Sequence, residues 1–370
     1  MHITLVIPEL IWPEPEDPTA FDALACPALT RLLARGELVQ SAPESFEATL
    51  CALFGYPADT AYAALRWQGE NQVNATDEGN SPTSIPPTKI LCCDPVHLRF
   101  HQESLILADA SQLGLTLAEA QNLAETLNTQ LAELGQIEVV RPERWYWHLA
   151  ESSQAGLVES PPLSAVAGRR VEHLLTAATS NKTLQQGLIA IQMLLHTHPV
   201  NLARQKNGQA SINHLWVWGD GSAPKSESNI GEHKANAPFD ALYCNASNTF
   251  ALGLARATHT AMHTQTLDAT KLLAEQAPHS RQLVVLDELL SFVAYEDSEN
   301  YQKTLNELET RWFAPLFSAL KRGKIKTLSV VVPTSYARFV WKNQPSSAWK
   351  LWRRTLSLQT FASRLVRPPE

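Results

Sequence analysis

Residues 198–224 read HPVNLARQKNGQASINHLWVWGDGSAP. Within them Leu215-Trp216-Val217-Trp218 is apolar and β-prone, and Gly219-Asp220-Gly221 stops it. The run therefore predicts a buried strand ended by a tight turn. Moving outward, the alternation continues. Residues 184–195 are helical in pattern, and 241–244 form another short apolar run followed by a predicted helix over 250–262. Buried strands are predicted at 283–286 and at 325–332, the second closed by Pro333. Between them, 301–320 is amphipathic, with Leu305, Leu308, Trp312, Leu316 and Leu320 on one stripe. Strands alternating with helices at this spacing call for a mostly parallel sheet covered on both faces, an α/β architecture. The polar stretch 221–238 reads as a mobile connection.

The N-terminal part follows the same grammar. Residues 2–7 form a short apolar strand ended by Pro8, and 9–18 are an acidic, proline-rich loop. A helix is predicted over 21–35 with Gly36 as its stop, and a second over 48–54 before Gly55-Tyr56-Pro57. Residues 69–88 are polar with three prolines and predict a long surface loop. A second module begins at Ile90. Residues 97–107 alternate like exposed strands, 116–134 form a helix opened by a Thr116/Glu119 capping box, and 137–140 and 145–149 are further strands. That order suggests a small α+β domain.

Composition sets the outer limits. With 370 residues, 44% hydrophobic and 18% charged, the chain is globular and long enough for two domains. A net charge of −7 gives no reason to expect nucleic acid as a partner. No basic leader precedes the first apolar run, and no apolar stretch approaches the ~20 residues that cross a bilayer. No membrane partner is expected. The five cysteines, Cys26, Cys51, Cys92, Cys93 and Cys244, are odd in number and scattered. Such usage fits reduced thiols in a cytoplasm.

The segment quoted first resembles the archaeal-type, cofactor-independent phosphoglycerate mutases of the alkaline phosphatase superfamily. The resemblance rests on His198-Pro199-Val200-Asn201, Arg204, Asn213 and Trp216-Val217-Trp218-Gly219. Looser matches cover Cys26 to Gly36, Pro43 to Thr60, the helix at 116–134 and the pattern of 283–320. Within that family the chain looks most like a bacterial branch, the RpfE-type regulatory proteins. The resemblance implies a three-layer, alkaline-phosphatase-like α/β domain built from residues 1–90 and 208–370. A smaller α+β domain, 91–207, is inserted between them.

The resemblance also implies a two-metal phosphoryl transfer with a hydroxyl nucleophile, for which several Asp and His ligands are needed. Position by position the expected ligands are missing. The first strand ends in Pro8-Glu9-Leu10 instead of Asp-Gly, and Glu9 keeps only a longer carboxylate. The nucleophile segment is Pro43-Glu44-Ser45-Phe46, where Ser45 is the remaining hydroxyl, although an ungapped match from Gly55-Tyr56 puts Phe46 at that place. Asp287 and Glu288 follow the strand at 283–286, but Ala294-Tyr295-Glu296-Asp297 offers no imidazole. The last strand ends in Pro333-Thr334 where Asp-His is expected, and no histidine follows His279. Glu9, Ser45, Asp287 and Thr334 are thus vestigial candidates, and neither metal nor other cofactor is expected.

Other candidates have plain structural alternatives. His259 and His263 lie four apart on a predicted helix, a metal-compatible spacing without a third ligand. Arg66, Arg99 and Arg204 are candidates for holding an anionic ligand, with Arg169 and Arg170 as looser ones, since the guanidinium fork suits phosphate and carboxylate. Ordinary salt bridges are the alternative. Residues 335–370 carry seven Lys or Arg, one acidic residue, and Trp341, Trp349 and Trp352. That composition suits a binding hot spot or an anionic surface, or else a helix packing its indoles on the sheet. The expected function is a catalytically inactive, mutase-like protein that binds a small anionic ligand or a protein partner, with a regulatory role. Two alternatives stay open: a metal-independent enzyme using Ser45, Glu9 or the histidine pair, and an active metal-dependent mutase.

Overall fold

The computed structural model describes residues 1–57, 59–75, 89–101, 103–150, 158–175, 182–221, 237–264, 268–275 and 279–366. Its strands are β1 (His2–Val6), β2 (Glu37–Ser41), β3 (Ile90–His101), β4 (Ser104–Asp109), β5 (Gly135–Arg141) and β6 (Arg144–Leu149). They continue with β7 (His214–Trp218), β8 (Ala241–Tyr243), β9 (Ala261–His263), β10 (Arg281–Val285), β11 (Thr327–Pro333) and β12 (Arg338–Asn343). The chain divides into two compact units, Met1–Gly55 with Glu227–Glu370, and Tyr56–Ser226.

The first unit is α/β with a largely parallel sheet, in the order β2-β12-β11-β1-β10-β8-β9. Strands β11, β1, β10, β8 and β9 run parallel, whereas β12 and β2 are antiparallel additions at one edge. The central strand β1 buries Ile3, Leu5 and Val6, as its apolar composition requires. Around the sheet lie Leu29, Leu32 and Leu33 of helix Pro27–Arg35 and Leu305, Leu308, Trp312 and Leu316 of the long helix. All of that predicted stripe is buried.

Three expectations for this unit need revision. The helix predicted over 21–35 starts only at Pro27, because proline lacks an N–H and suits a first turn rather than an interior. The long helix is interrupted by a π turn at Glu309–Phe313. There the carboxylate of buried Glu309 accepts from the backbone N–H groups of Ala28 at 2.6 Å and Leu29 at 3.1 Å. It caps helix Pro27–Arg35, whose own N-cap residue Cys26 offers no side-chain bond. The helix predicted over 250–262 ends at Ala257, and Ala261–His263 is the edge strand β9. His259 stands in the turn between them at φ 54°, so His259 and His263 do not share a helical face.

The second unit is α+β, with β4-β3-β6-β5 in antiparallel order and β7 pairing antiparallel with β3. The strand that opened the reading therefore belongs to this sheet and not to the parallel one. Helix Tyr62–Ala75 packs on β3, and residues 69–75 of the loop expected over 69–88 are instead its last turns; residues 76–88 lie outside the described residues. Apolar Ala63, Ala64, Leu65 and Trp67 are buried and carry the helix into that polar sequence. The junctions expected near residues 90 and 208 both fall inside this unit, since β3 and β7 are partners. The connection expected to be mobile lies mostly outside the described residues, at 222–236.

The capping box predicted at Thr116 and Glu119 is present, opening helix Leu117–Gln130. The motif 198–213 then ties helices to sheet. His198 caps helix Pro199–Lys206 through Nδ1, which accepts from Val200 N–H at 3.2 Å, and its Nε2 meets Thr126 Oγ1 at 2.9 Å. Buried Asn201 donates to the carbonyls of Leu195 and Ile212, both at 2.7 Å, and accepts from Ile212 N–H at 2.8 Å. Asn213 exchanges two bonds with the backbone of Leu98, at 2.8 and 2.9 Å.

Candidate functional site

In an open parallel sheet, ligands bind beyond the carboxyl ends of the strands. In the first unit that edge carries Glu9 after β1, Asp287 after β10 and Thr334 after β11. β1 ends at Val6, three residues before Glu9, β10 at Val285, two before Asp287, and β11 at Pro333, directly before Thr334.

Beyond β1 the chain turns inward. Glu9 adopts a left-handed backbone at φ 55°, ordinary for glycine and costly for glutamate. Its N–H donates to Pro333 O at 3.0 Å. The turn drives Leu10, Ile11 and Trp12 into the core, with exposures of 0%, 2% and 2%. Trp12 packs on Tyr301 with ring centroids 4.9 Å apart. The Tyr301 hydroxyl donates to Leu10 O at 2.8 Å and that of Tyr336 to Ile11 O at 3.3 Å. Burial raises both phenol pKa values well above the usual tyrosine range, and the Glu9 charge adds to the effect. The residues after Glu9 form a plug of aliphatic and aromatic side chains bonded by two neutral phenols.

Thr334 is occupied by its own turn. Its hydroxyl donates to Ala337 O at 2.7 Å and accepts from Ala337 N–H at 3.1 Å, which closes the β11–β12 hairpin. Ser45 is the N-cap of helix Phe46–Phe54, its hydroxyl accepting from Ala48 N–H at 3.1 Å. An oxygen used in this way is a capping group. The neighbouring Glu44 accepts from Thr49 Oγ1 at 2.9 Å and pairs with Arg338 at 3.1 Å.

Among the candidates of the first unit, Asp287 has a shifted carboxyl. Burial, then the nearby Glu288, pushes its carboxyl up to about 6. It accepts a hydrogen bond from Asn248 Nδ2 at 2.7 Å, while Asn248 Oδ1 caps helix Thr249–Ala257. Cys244, after β8, is held protonated by burial and by this carboxylate, its pKa rising to about 12. This Cys-Asn-Asp group was missed in the sequence, although an Asn before a helical run is itself a capping signal. No group of three or more His, Cys, Asp or Glu side chains with metal-holding geometry occurs among the described residues. An apolar plug, a threonine turn and the two carboxylates of Glu9 and Asp287 do not form the donor set of several Asp and His that a pair of divalent cations requires. All five cysteines are buried and none is in a disulfide.

The arginine candidates lie in the second unit. Arg66 makes a two-pronged pair with fully buried Asp94, both bonds 2.8 Å, and its Nε donates to Tyr146 Oη at 2.9 Å. Its guanidinium lies 4.7 Å from the Tyr146 ring centroid and 5.1 Å from that of Trp218, whose indole N–H also donates to Asp94 at 2.8 Å. Arg204, 1% exposed, donates to both Glu119 oxygens at 3.0 and 3.1 Å, to Ala210 O and to Leu113 O. Both fork faces are consumed by protein groups, so neither arginine is placed to take a ligand. Arg99 is exposed on β3.

No family model matches the chain. Partial homology exists to 2,3-bisphosphoglycerate-independent phosphoglycerate mutases. The one from Methanosarcina mazei is 27% identical over 220 residues, covering 56% of this chain and 51% of that protein. The one from Methanosarcina barkeri is 34% identical over 122 residues, covering 32% of this chain and 30% of that protein. The chain thus spans about half the length, or less, of the curated relatives it matches. A solved structure of a Pyrococcus horikoshii protein superposes on 93% of this chain and 87% of its own, with a TM-score of 0.54 at 12% identity. That likeness is one of fold.

Proposed function

We propose that this chain is a degenerate, catalytically inactive relative of the cofactor-independent phosphoglycerate mutases that acts by binding, as a regulatory protein of the cytoplasm. The observation that carries the reading is the plug after β1. Directly after Glu9, the one carboxylate at the place where the first metal ligand is expected, Leu10, Ile11 and Trp12 turn into the core, and Tyr301 and Tyr336 bond the carbonyls of Leu10 and Ile11. Three further facts support it. Thr334 and Ser45 spend their hydroxyls on a turn and a helix cap. Asp287 favours the protonated state more than an ordinary carboxylate does, which opposes cation binding. Arg66 and Arg204 are already saturated, so a protein partner is favoured over a small anion in a basic cleft.

Incubation of the purified chain with phosphoglycerate and Mn²⁺, Zn²⁺ or Mg²⁺ tests this. Isomerisation no faster than in a chain-free control is expected with each ion. Metal-dependent turnover that disappears in Asp287→Ala would refute the proposal.

A further inference from the structure

From 310 to 366 the chain holds eleven Lys or Arg and no Asp or Glu, although its net charge is −7. The remainder therefore carries a larger negative excess than the whole. Part of this basic stretch gathers in one place. Helix Pro27–Arg35, helix Ala314–Lys321 and the short turn Ser347–Trp349 all pack against one another. Around that junction lie Lys321, Arg322, Lys324, Lys350, Arg353 and Arg354, none with a carboxylate in ion-pair reach among the described residues. Among them stand Trp349, Leu351 and Trp352, exposed by 55%, 70% and 76%. Exposed apolar side chains ringed by cations are unusual on a surface that faces only water.

The patch is also held in shape. Lys321 Nζ sits 4.7 Å from the Trp349 ring centroid. Arg35 donates to Ala348 O at 2.6 Å, and Arg353 to Gly36 O at 3.1 Å. These contacts hold the chain on either side of Leu351 and Trp352, and a backbone fixed before binding loses little freedom on association.

We propose that this face docks a short acidic segment of a protein partner, with Leu351 and Trp352 as apolar anchors and the surrounding cations pairing with its carboxylates. Charge distribution selects this occupant. Six cations around three exposed apolar side chains match the few carboxylates and apolar side chains of a short segment. A short segment stays within about one Debye length, roughly 8 Å, of the cations. The proposal deepens the binding reading above by giving the partner's chemistry, yet it does not rest on lost catalysis, so a metal-dependent activity would leave it standing.

The test is fluorescence anisotropy of a fluorescein-labelled peptide that alternates Asp or Glu with Leu, titrated with the full chain. Phosphatidylserine vesicles and a single-stranded DNA oligonucleotide serve as competing probes. Saturable peptide binding that weakens with salt is expected. Trp352→Ala and Arg354→Glu should each weaken it about tenfold or more, as loss of a hot-spot residue does. Arg141→Glu, on strand β5 of the second unit, should leave it unchanged. Iodide quenching of tryptophan in the unmodified chain should fall as peptide is added, a readout that needs no variant. The proposal is overturned by absence of saturable binding, by binding indifferent to both substitutions, or by tighter binding of vesicles or DNA.

Discussion

Single residues here show polar groups committed to structure where chemistry was expected. Ser45→Ala should cost about 1 kcal/mol of stability, the usual worth of an N-cap, read as a lower urea midpoint. Asp94→Ala strands the Arg66 guanidinium in a buried site and should cost about 3–5 kcal/mol. Two groups give opposite pH signatures. Asp287 has a folded pKa of about 6 against an ordinary 3.8, so its stabilising contribution is complete below 3.8 and is lost as pH rises through about 6. Asp287→Asn should therefore melt above the unmodified chain at neutral pH, with the gap closing on acidification. His214 is buried and lowered from 6.5 to about 4, with Gln192 Nε2 at 2.8 Å from its Nδ1. Its contribution is present above 6.5 and lost as pH falls through that window. His214→Gln should flatten the acid-side loss of stability in thermal scans at stepped pH. At this scale the sequence disclosed identities but not commitments. Glu9, Ser45, Asp287 and Thr334 could be named as replacements, whereas their partners, Ala48, Asn248 and Ala337 among them, follow from backbone geometry that no spacing encodes.

Secondary elements were more legible, and their failures share a cause. Strands buried on both faces, such as β1, β10 and β11, announce themselves as apolar runs. Strand β2, exposed along its whole length, and β12, which alternates buried and exposed residues, do not. They are antiparallel edge additions whose positions depend on β11. Strand β7, which read as part of the parallel sheet, sits in the other sheet, because an antiparallel partner, β3, claims it. The π turn was invisible for a related reason: the stripe of the long helix continues across it, while its purpose is to aim Glu309 at another helix. Glu309→Ala should cost about 2 kcal/mol, the worth of a hydrogen bond to a charged group. Hydrogen exchange should show the loss first at the amides of Ala28 and Leu29.

On the scale of the whole molecule, the first unit is discontinuous in sequence and closed by β1, which lies between β10 and β11 in parallel register with both. A fragment ending near residue 90 lacks both neighbours of that strand and should not be soluble. A fragment of residues 56–221 keeps the second sheet entire and should give a cooperative melt by circular dichroism. The likeness to phosphoglycerate mutases is one of partial identity, and a shared architecture does not require a shared chemistry. Elemental analysis of the chain after dialysis against Mn²⁺ and Zn²⁺, followed by gel filtration, bears most directly on that separation. Substoichiometric metal is predicted, because the carboxyl edge of the sheet offers Glu9 and Asp287 but no metal-holding group of three or more His, Cys, Asp or Glu among the described residues. A pair of dications retained per chain would contradict the account.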